Sequence, residues 1–521
     1  MPLPGPVSNR ALWAVSAVLA ALFAAFQIQS SLHSGSLSLP VTYDDVGYFN
    51  DALARLDVLY RDGGRAFLAG LWTNPPHAPL QTLLTLAAFG LAGPQRWAAV
   101  LMNAVPLAII LRLFLGFACR TLPFMTAGIA AAALLAFPLL GLLILECRPD
   151  MLCALLTAAG ALTIAADPRW REGDRRTLAI SGALFVGALL SKPTLAPVTG
   201  VVLGAAALSA ILLSQDRKRT ARLALVTGGI AVLIVLPYYA AVFPRLYAYI
   251  ADNAFGANAK VWRADLSPSG HALYYLTGNG GKAGIGTPWL AMGGALTVLA
   301  LPVWIRTRAA LCVVLVALIA YASVTVPGMK SPFLGLIVSA FLLGIVAIFV
   351  VCLLARLRRR IAVAAALALL AFSVVTWRPV FMRLRGFDVP AAQSQHFTRI
   401  YNQTADALAS VPDLGNRTLY IPVIASYLNP DNMQFEMRQR GLQPPAIPLV
   451  YLNGDLSAHQ ALIAGSDVAI LFSDDNTLPL PWPASSSIRK EIGAAVAAAG
   501  FVPVATVDGG PYLGQVVVLR K

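Results

Sequence analysis

Residues 122–166 read LPFMTAGIAAAALLAFPLLGLLIL, then ECRPD at 146–150, then MLCALLTAAGALTIAA. The first run has 24 residues and no charge. As a helix it spans a hydrocarbon core of about 30 Å. A five-residue polar step follows, and the chain turns back through a second apolar run. Runs of this kind recur along the first three quarters of 521 residues, of which 58% are hydrophobic and only 12% charged. Soluble domains carry about 25% charged residues. The composition therefore describes a chain that crosses a bilayer many times.

Working outward from that pair, eleven spans are expected: 11–30, 97–117, 122–145, 149–166, 177–191, 193–213, 223–243, 288–305, 308–326, 332–354 and 361–377. One further run, 78–92, is too short to cross and follows Asn74-Pro75-Pro76-His77, which suggests a half-inserted or interfacial helix. The net charge of +15 is distributed as topology rather than as a nucleic-acid surface. With eleven spans and the N-terminus inside, sixteen cations fall in the inner loops, from Arg10 and Arg120 to the cluster Arg356, Arg358, Arg359 and Arg360. The short outer loops hold only Arg148, Lys192 and Lys330. Letting 78–92 span would move every later cluster outside, against the positive-inside rule. The residues at 11–30 lack a cleavage site and read as an uncleaved first span. The five cysteines show no metal spacing and read as small buried residues.

This topology leaves three large outer segments: 31–96, about 244–287, and 378–521. The expected fold is an all-α polytopic membrane domain over 1–377 followed by a small α/β domain over 378–521. The α/β expectation rests on strand-length apolar stretches at Thr418–Ile424, Ala446–Leu452, Asp467–Phe472, Phe501–Val507 and Gln515–Leu519. A helix is expected at Ile488–Ala499, capped by Ser485–Ser487 and stopped by Gly500.

Candidate chemistry gathers on the outer side. Tyr43-Asp44-Asp45-Val46-Gly47-Tyr48-Phe49 opens an amphipathic helix whose apolar stripe is Val46, Phe49, Leu53, Leu56 and Tyr60. A helix cap needs only one of the two aspartates. The alternative makes Asp44 or Asp45 a general base that deprotonates an acceptor hydroxyl. Glu146-Cys147-Arg148-Pro149-Asp150 faces the same way; Arg148 and Asp150 read either as an interfacial ion pair or as part of a site. Lys192, in Ser191-Lys192-Pro193, is a cation on the wrong side of the charge rule. Binding a lipid phosphate explains it, and so does snorkelling to headgroups. His77 is a weaker candidate, since a lone histidine is more often structural. In 244–287, Lys260, Trp262, Arg263, His271, Tyr274, Tyr275 and Lys282 suit a sugar and phosphate site or a plain membrane interface.

In this order the motifs resemble the GT-C membrane glycosyltransferases, in particular the aminoarabinose-transferase and protein O-mannosyltransferase-like group. The matching residues are Asp44-Asp45 with Tyr48, then Pro75-Pro76-His77-Ala78-Pro79-Leu80, then Arg148-Pro149-Asp150-Met151, then Lys192-Pro193. The likeness covers about residues 1–290 well and the rest in outline. Two positions depart from the pattern: the second acid is Asp rather than Glu, and Pro76-His77 stands where relatives often have Glu-Lys. The resemblance implies a polyprenyl-phosphate-linked sugar donor, inverting transfer without cofactor or metal, and a glycolipid or polysaccharide acceptor outside a bacterial inner membrane. It implies catalytic roles for Asp44 and Asp45, and substrate-binding roles for Tyr48, His77, Arg148, Asp150 and Lys192; His271 and Tyr274 join the substrate-binding candidates from the composition of the 244–287 loop. The rival reading is a transporter or flippase of a lipid-linked sugar. Transporters place ionisable groups near the bilayer midplane, whereas here they crowd span ends.

Overall fold

The structure is a computed structural model. It describes residues 7–41, 43–256, 259, 263–306, 308–383, 391–425, 428–473, 476, 479–481, 483–508 and 514–521. The chain divides into two compact units: 1–28, 58–84 and 100–384 form one, and 29–57, 85–99 and 385–521 the other.

In chain order the first helices are α1 (Asn9–Ser34), α2 (Tyr43–Thr73), α3 (Pro79–Ala92), α4 (Arg96–Leu101), α5 (Ala104–Ala118), α6 (Phe124–Leu134), α7 (Pro138–Leu145) and α8 (Pro149–Ala166). They continue as α9 (Pro168–Glu172), α10 (Arg175–Ser191), α11 (Ala196–Leu213), α12 (Arg217–Phe255), α13 (Pro268–Leu273), α14 (Asn279–Gly284), α15 (Thr287–Arg306), α16 (Arg308–Thr325), α17 (Leu336–Arg356) and α18 (Arg359–Arg383). Helix occupies each of the eleven expected segments. Among the described residues seven helices are long and apolar enough to cross a membrane, or eight if α6 and α7 form one broken span. The chain is a multi-pass, all-α membrane protein with a small C-terminal β-containing domain.

Three features follow directly from sequence. The 122–145 run is bent by 71° between α6 and α7. Pro138 at the first position of α7 has no N–H to continue the preceding ladder. Helix α3, with 14 residues, stays shorter than a span. Helix α12 has 39 residues, about 58 Å of rise, which exceeds the hydrocarbon thickness. Its Leu225, Ile230, Leu233 and Ile234 are exposed, an apolar surface that lipid would cover. At the centre of the first unit α8 packs against α10, α11, α16 and α17.

The second unit carries a four-stranded sheet of β1 (Leu419–Tyr420), β2 (Val468–Phe472), β3 (Val502–Asp508) and β4 (Gln515–Arg520), in the order β1-β2-β4-β3. β1 lies parallel to β2, and β4 is antiparallel to both neighbours. Both faces are covered at β1, β2 and β4, which read as continuous apolar runs, whereas the edge strand β3 is largely exposed. One face, with Leu419, Val468, Ile470, Val516 and Val518, joins the core of α19 (Ala391–Ala409) and α20 (Pro430–Gln439). The other, with Tyr420, Ala469 and Leu519, meets Ile463 of α21 (Leu456–Ala464) and Ile492 and Val496 of α22 (Arg489–Ala498).

Two expectations fail here. Ala446–Leu452 is not a strand and contributes a single bridge, Thr418 to Ala446. Pro444, Pro445 and Pro448 break up its capacity to donate to a ladder. Ser485–Ser487 do not cap α22; they lie inside a 3-10 turn, Ala484–Ile488, and Ile488 holds the cap position. Gly500, at φ 83°, does end that helix in the left-handed region that favours glycine.

Candidate active site

The segment 146–150 links α7 to α8 with its residues fixed from both sides. Pro149 opens α8 and holds Arg148 extended, at φ −97° and ψ 132°. The amide of Asn103 donates to the Glu146 carbonyl at 3.1 Å, and Asn103 in turn accepts from Gln81 of α3 at 3.5 Å. Sequence reading offered Arg148 and Asp150 as partners of one another. Instead each has a different partner: Arg148 Nε lies 3.3 Å from a Glu146 carboxylate oxygen, and Asp150 Oδ2 lies 3.3 Å from Lys192 Nζ. Lys192 sits at the C-terminal end of α10, so this contact joins α10 to the head of α8.

These are sheltered charges. Arg148 is 6% exposed and Asp150 5%. The Arg148 guanidinium also stacks over the Phe333 ring, 3.9 Å from its centroid. Burying a charge is expensive unless it is paired, and both cations meet that condition with a carboxylate. The four side chains Glu146, Arg148, Asp150 and Lys192 therefore carry no net charge as a group. An anion approaching them would find two oriented cations, each already sharing its field with an acid.

The loop between α16 and α17 supplies Phe333 and also Lys330. The Lys330 ammonium donates to the carbonyls of Thr325 and Pro327, at 2.6 and 2.7 Å, and lies 5.6 Å from the Tyr275 ring. Burial lowers the pKa of Lys330 and raises that of Tyr275. Tyr274 packs edge-on against Tyr275, with centroids 4.9 Å apart, and burial raises its pKa too. So Tyr274 comes to the Lys330 loop by way of its neighbour. Among the described residues, no hydrogen bond or ring contact joins His271, on α13, to this group. Sequence reading held Glu146 within its motif and Tyr275 among the loop residues that suit a sugar and phosphate site; it missed Phe333 and gave Lys330 no role. Lys330 was visible as one of three cations that break the charge rule.

His77 also belongs to the first unit. The turn 73–77 is strapped to α12: Tyr238 donates its hydroxyl to the Pro76 carbonyl at 2.9 Å, and Arg245 donates to the Asn74 side chain at 3.3 Å. The His77 ring packs edge-on against Tyr249 at 6.0 Å.

The acidic pair belongs to the second unit. Helix α2 begins at Tyr43, so Asp44 and Asp45 both lie inside its first turn and neither is a cap. Carboxylates there are favoured by the helix dipole. Asp45 is buried; the Asp44 side chain lies outside the described residues, as do Lys260 and Trp262. Val46, Phe49, Leu53 and Leu56 are buried as their spacing predicts, whereas Tyr60 is exposed. Gly63, at φ 82°, then breaks α2. Tyr48 is half-buried on the same helix.

Helix α20 holds this first turn in place. Asn432 donates to the Val41 carbonyl, Asn50 donates to the Asp431 carbonyl at 2.9 Å, and Arg438 pairs with Asp57 at 2.5 Å. Phe435 packs on Phe49 at 5.1 Å and on Phe89 of α3 at 6.3 Å. Among the described residues, no three His, Cys, Asp or Glu side chains converge as metal ligands.

No protein-family model matches the chain, and no curated protein matches it by sequence. Solved structures do match. The apo crystal structure of ArnT from Cupriavidus metallidurans superposes with a TM-score of 0.58 at 16% identity, covering 98% of this chain and 98% of that one. The crystal structure of ArnT from the same organism bound to undecaprenyl phosphate gives 0.56 at 17% identity, over 96% and 97%. The likeness is one of fold, and it runs through the helical domain and the C-terminal domain alike.

Proposed function

We propose that the protein is an inverting glycosyltransferase that moves a sugar from a polyprenyl-phosphate donor to a hydroxyl of an extracytoplasmic glycolipid or polysaccharide. The observation that carries this reading is the head of α8, where Arg148 is paired with the half-buried Glu146 and Lys192 with the buried Asp150 at the ends of apolar helices. The fold of ArnT, one structure of which holds undecaprenyl phosphate, supports it. The reading includes eleven crossings, an inner-membrane location in a bacterium, and an extracytoplasmic 378–521 domain. Positive-inside charge favours that orientation.

In the proposed reaction, Asp44 or Asp45 accepts the proton of the acceptor hydroxyl. The hydroxyl oxygen attacks the anomeric carbon from the face opposite the phosphate. The bond from that carbon to the phosphate oxygen breaks, its electron pair leaves with polyprenyl phosphate, and the anomeric configuration inverts. Arg148 and Lys192 offset the charge that grows on the leaving phosphate. Asp150 keeps Lys192 oriented and Glu146 does the same for Arg148, so both cations act as preorganised groups. Tyr48, His271 and Tyr274 are assigned to the sugar and acceptor, and His77 to the rim of the donor site. No step requires a metal.

The test is transfer by purified Asp44→Asn and Asp45→Asn proteins. One of the two should lose about 10²–10⁴-fold in rate, the usual cost of removing a general base, with donor binding retained. Near wild-type turnover by both variants would overturn the assignment of the base.

A further inference from the structure

Arg112 lies within the apolar sequence AVPLAIILRLFLGFA of α5, six residues before the helix ends at Ala118. That places its Cα about 9 Å of rise inside the span. A charged residue at such depth needs a partner. The side chain runs toward the helix end, past Gly116 one turn on. A Cβ at Gly116 would sit 2.5 Å from Arg112 Nη1, so the glycine leaves the room the guanidinium occupies. There Arg112 Nη2 donates to Asn9 Oδ1 at 2.5 Å, and Arg176 Nη2 donates to the same oxygen at 3.5 Å. Two nitrogens bound to one atom at those distances are at most about 6 Å apart.

Two guanidinium groups thus converge from α5 and α10 on a neutral amide at the start of α1. Among the described residues, neither has a carboxylate within 4.0 Å. Asp174, two residues before Arg176, is engaged as the cap of α10, accepting from Thr177 N at 2.9 Å and Thr177 Oγ1 at 2.6 Å. Asp167 is shared by Arg120 and Arg169. The Trp13 ring lies 5.8 Å from Arg112 Cζ and is 43% exposed, as an indole at headgroup level would be. Ile109 and Val105, about one and two turns before Arg112 on its face of α5, are exposed apolar side chains.

We propose that Asn9, Arg112 and Arg176 form a binding site for the phosphodiester of an anionic glycerophospholipid, on the arginine-rich side of the membrane. The phosphate supplies the negative charge that the described residues do not place beside these two cations. Its acyl chains lie along Val105 and Ile109, which distinguishes a lipid from a free anion. Basic pockets between spanning helices on the cytoplasmic side recognise lipid headgroups by this chemistry. The site is independent of the proposed transfer reaction and uses none of its residues.

Native mass spectrometry of the full-length protein, delipidated and titrated with phosphatidylglycerol or phosphatidylcholine, tests it. Wild type should retain phosphatidylglycerol in preference to phosphatidylcholine. Arg176→Gln, a change at an exposed position, should weaken that retention about tenfold or more, the effect of losing one charge-assisted contact. Arg112→Gln should do the same, and its melting temperature in phosphatidylcholine reports separately on folding. Equal retention by wild type and Arg176→Gln would overturn the site. Displacement of phosphatidylglycerol by equimolar inorganic phosphate would overturn the lipid assignment.

Discussion

Removing Lys192 should damage this protein in two separable ways. Its ammonium lies 3.3 Å from Asp150, and the side chains are 19% and 7% exposed. Lys192→Ala leaves the Asp150 carboxylate sheltered from water without its cation. Breaking a buried pair from one side costs about 3–5 kcal/mol, a large share of the roughly 5–15 kcal/mol that holds a folded protein together. The partial exposure of Lys192 puts the expected loss at the lower end, about 3 kcal/mol. If Lys192 also meets the donor phosphate, a charged contact worth about 1.5–3 kcal/mol goes with it, or about tenfold or more in donor use. The double variant Asp150→Asn/Lys192→Met tells these effects apart. It removes both charges, so stability should return to near wild type, while the donor defect should persist. Thermal unfolding in detergent reads the first quantity and the donor KM reads the second. Full recovery of donor use in the double variant would refute the phosphate role and leave Lys192 a structural partner of Asp150. A Lys192→Ala protein as stable as wild type would refute the pairing argument itself.

Other outcomes follow from the same structure. Phe435, 1% exposed between Phe49 and Phe89, should cost about 3–5 kcal/mol on replacement by alanine; limited proteolysis of the C-terminal domain reports it, and unchanged resistance would contradict it. Burial raises the pKa of Asp431, so its ionised form is disfavoured in the folded state. Asp431→Asn should therefore unfold at a higher temperature than wild type at pH 7. That gain should shrink as pH falls through the raised pKa of Asp431, because the wild-type carboxyl becomes neutral; a gain independent of pH would contradict it. Alkaline-phosphatase fusions after Leu91 and after Arg385 should both be active, and an inactive fusion after Arg385 would reverse the proposed orientation.

What the sequence revealed was largely whatever repeats with a period or a length. Apolar runs located a helix in every expected span, and the 14 residues of α3 marked it as too short to cross. The stripe Val46, Phe49, Leu53, Leu56 announced the buried face of α2. Pairings between distant residues carried no such signal. Asp150 and Lys192 are 42 positions apart, and nothing local distinguishes that partner from the adjacent Arg148. Glu146 was overshadowed by Arg148-Pro149-Asp150, although only the structure shows which carboxylate Arg148 meets. Tyr275 and Phe333 are aromatics among many in an interfacial composition; their meaning comes from the cations above them. The hold of α20 on α2 joins residues 381 positions apart, a contact that single-sequence reasoning does not reach. At Ala446–Leu452 apolar content suggested a strand, and the prolines outweighed it.

The most direct test of the central claim is a reconstituted reaction with a sugar-labelled polyprenyl phosphate and a total envelope glycolipid fraction. The account predicts that free polyprenyl phosphate appears only when acceptor is present. It also predicts that label moves to the acceptor, and that the new glycosidic bond has the anomeric configuration opposite to the donor's. A labelled donor that crosses the proteoliposome membrane intact, with no polyprenyl phosphate released, would contradict it and identify a transporter.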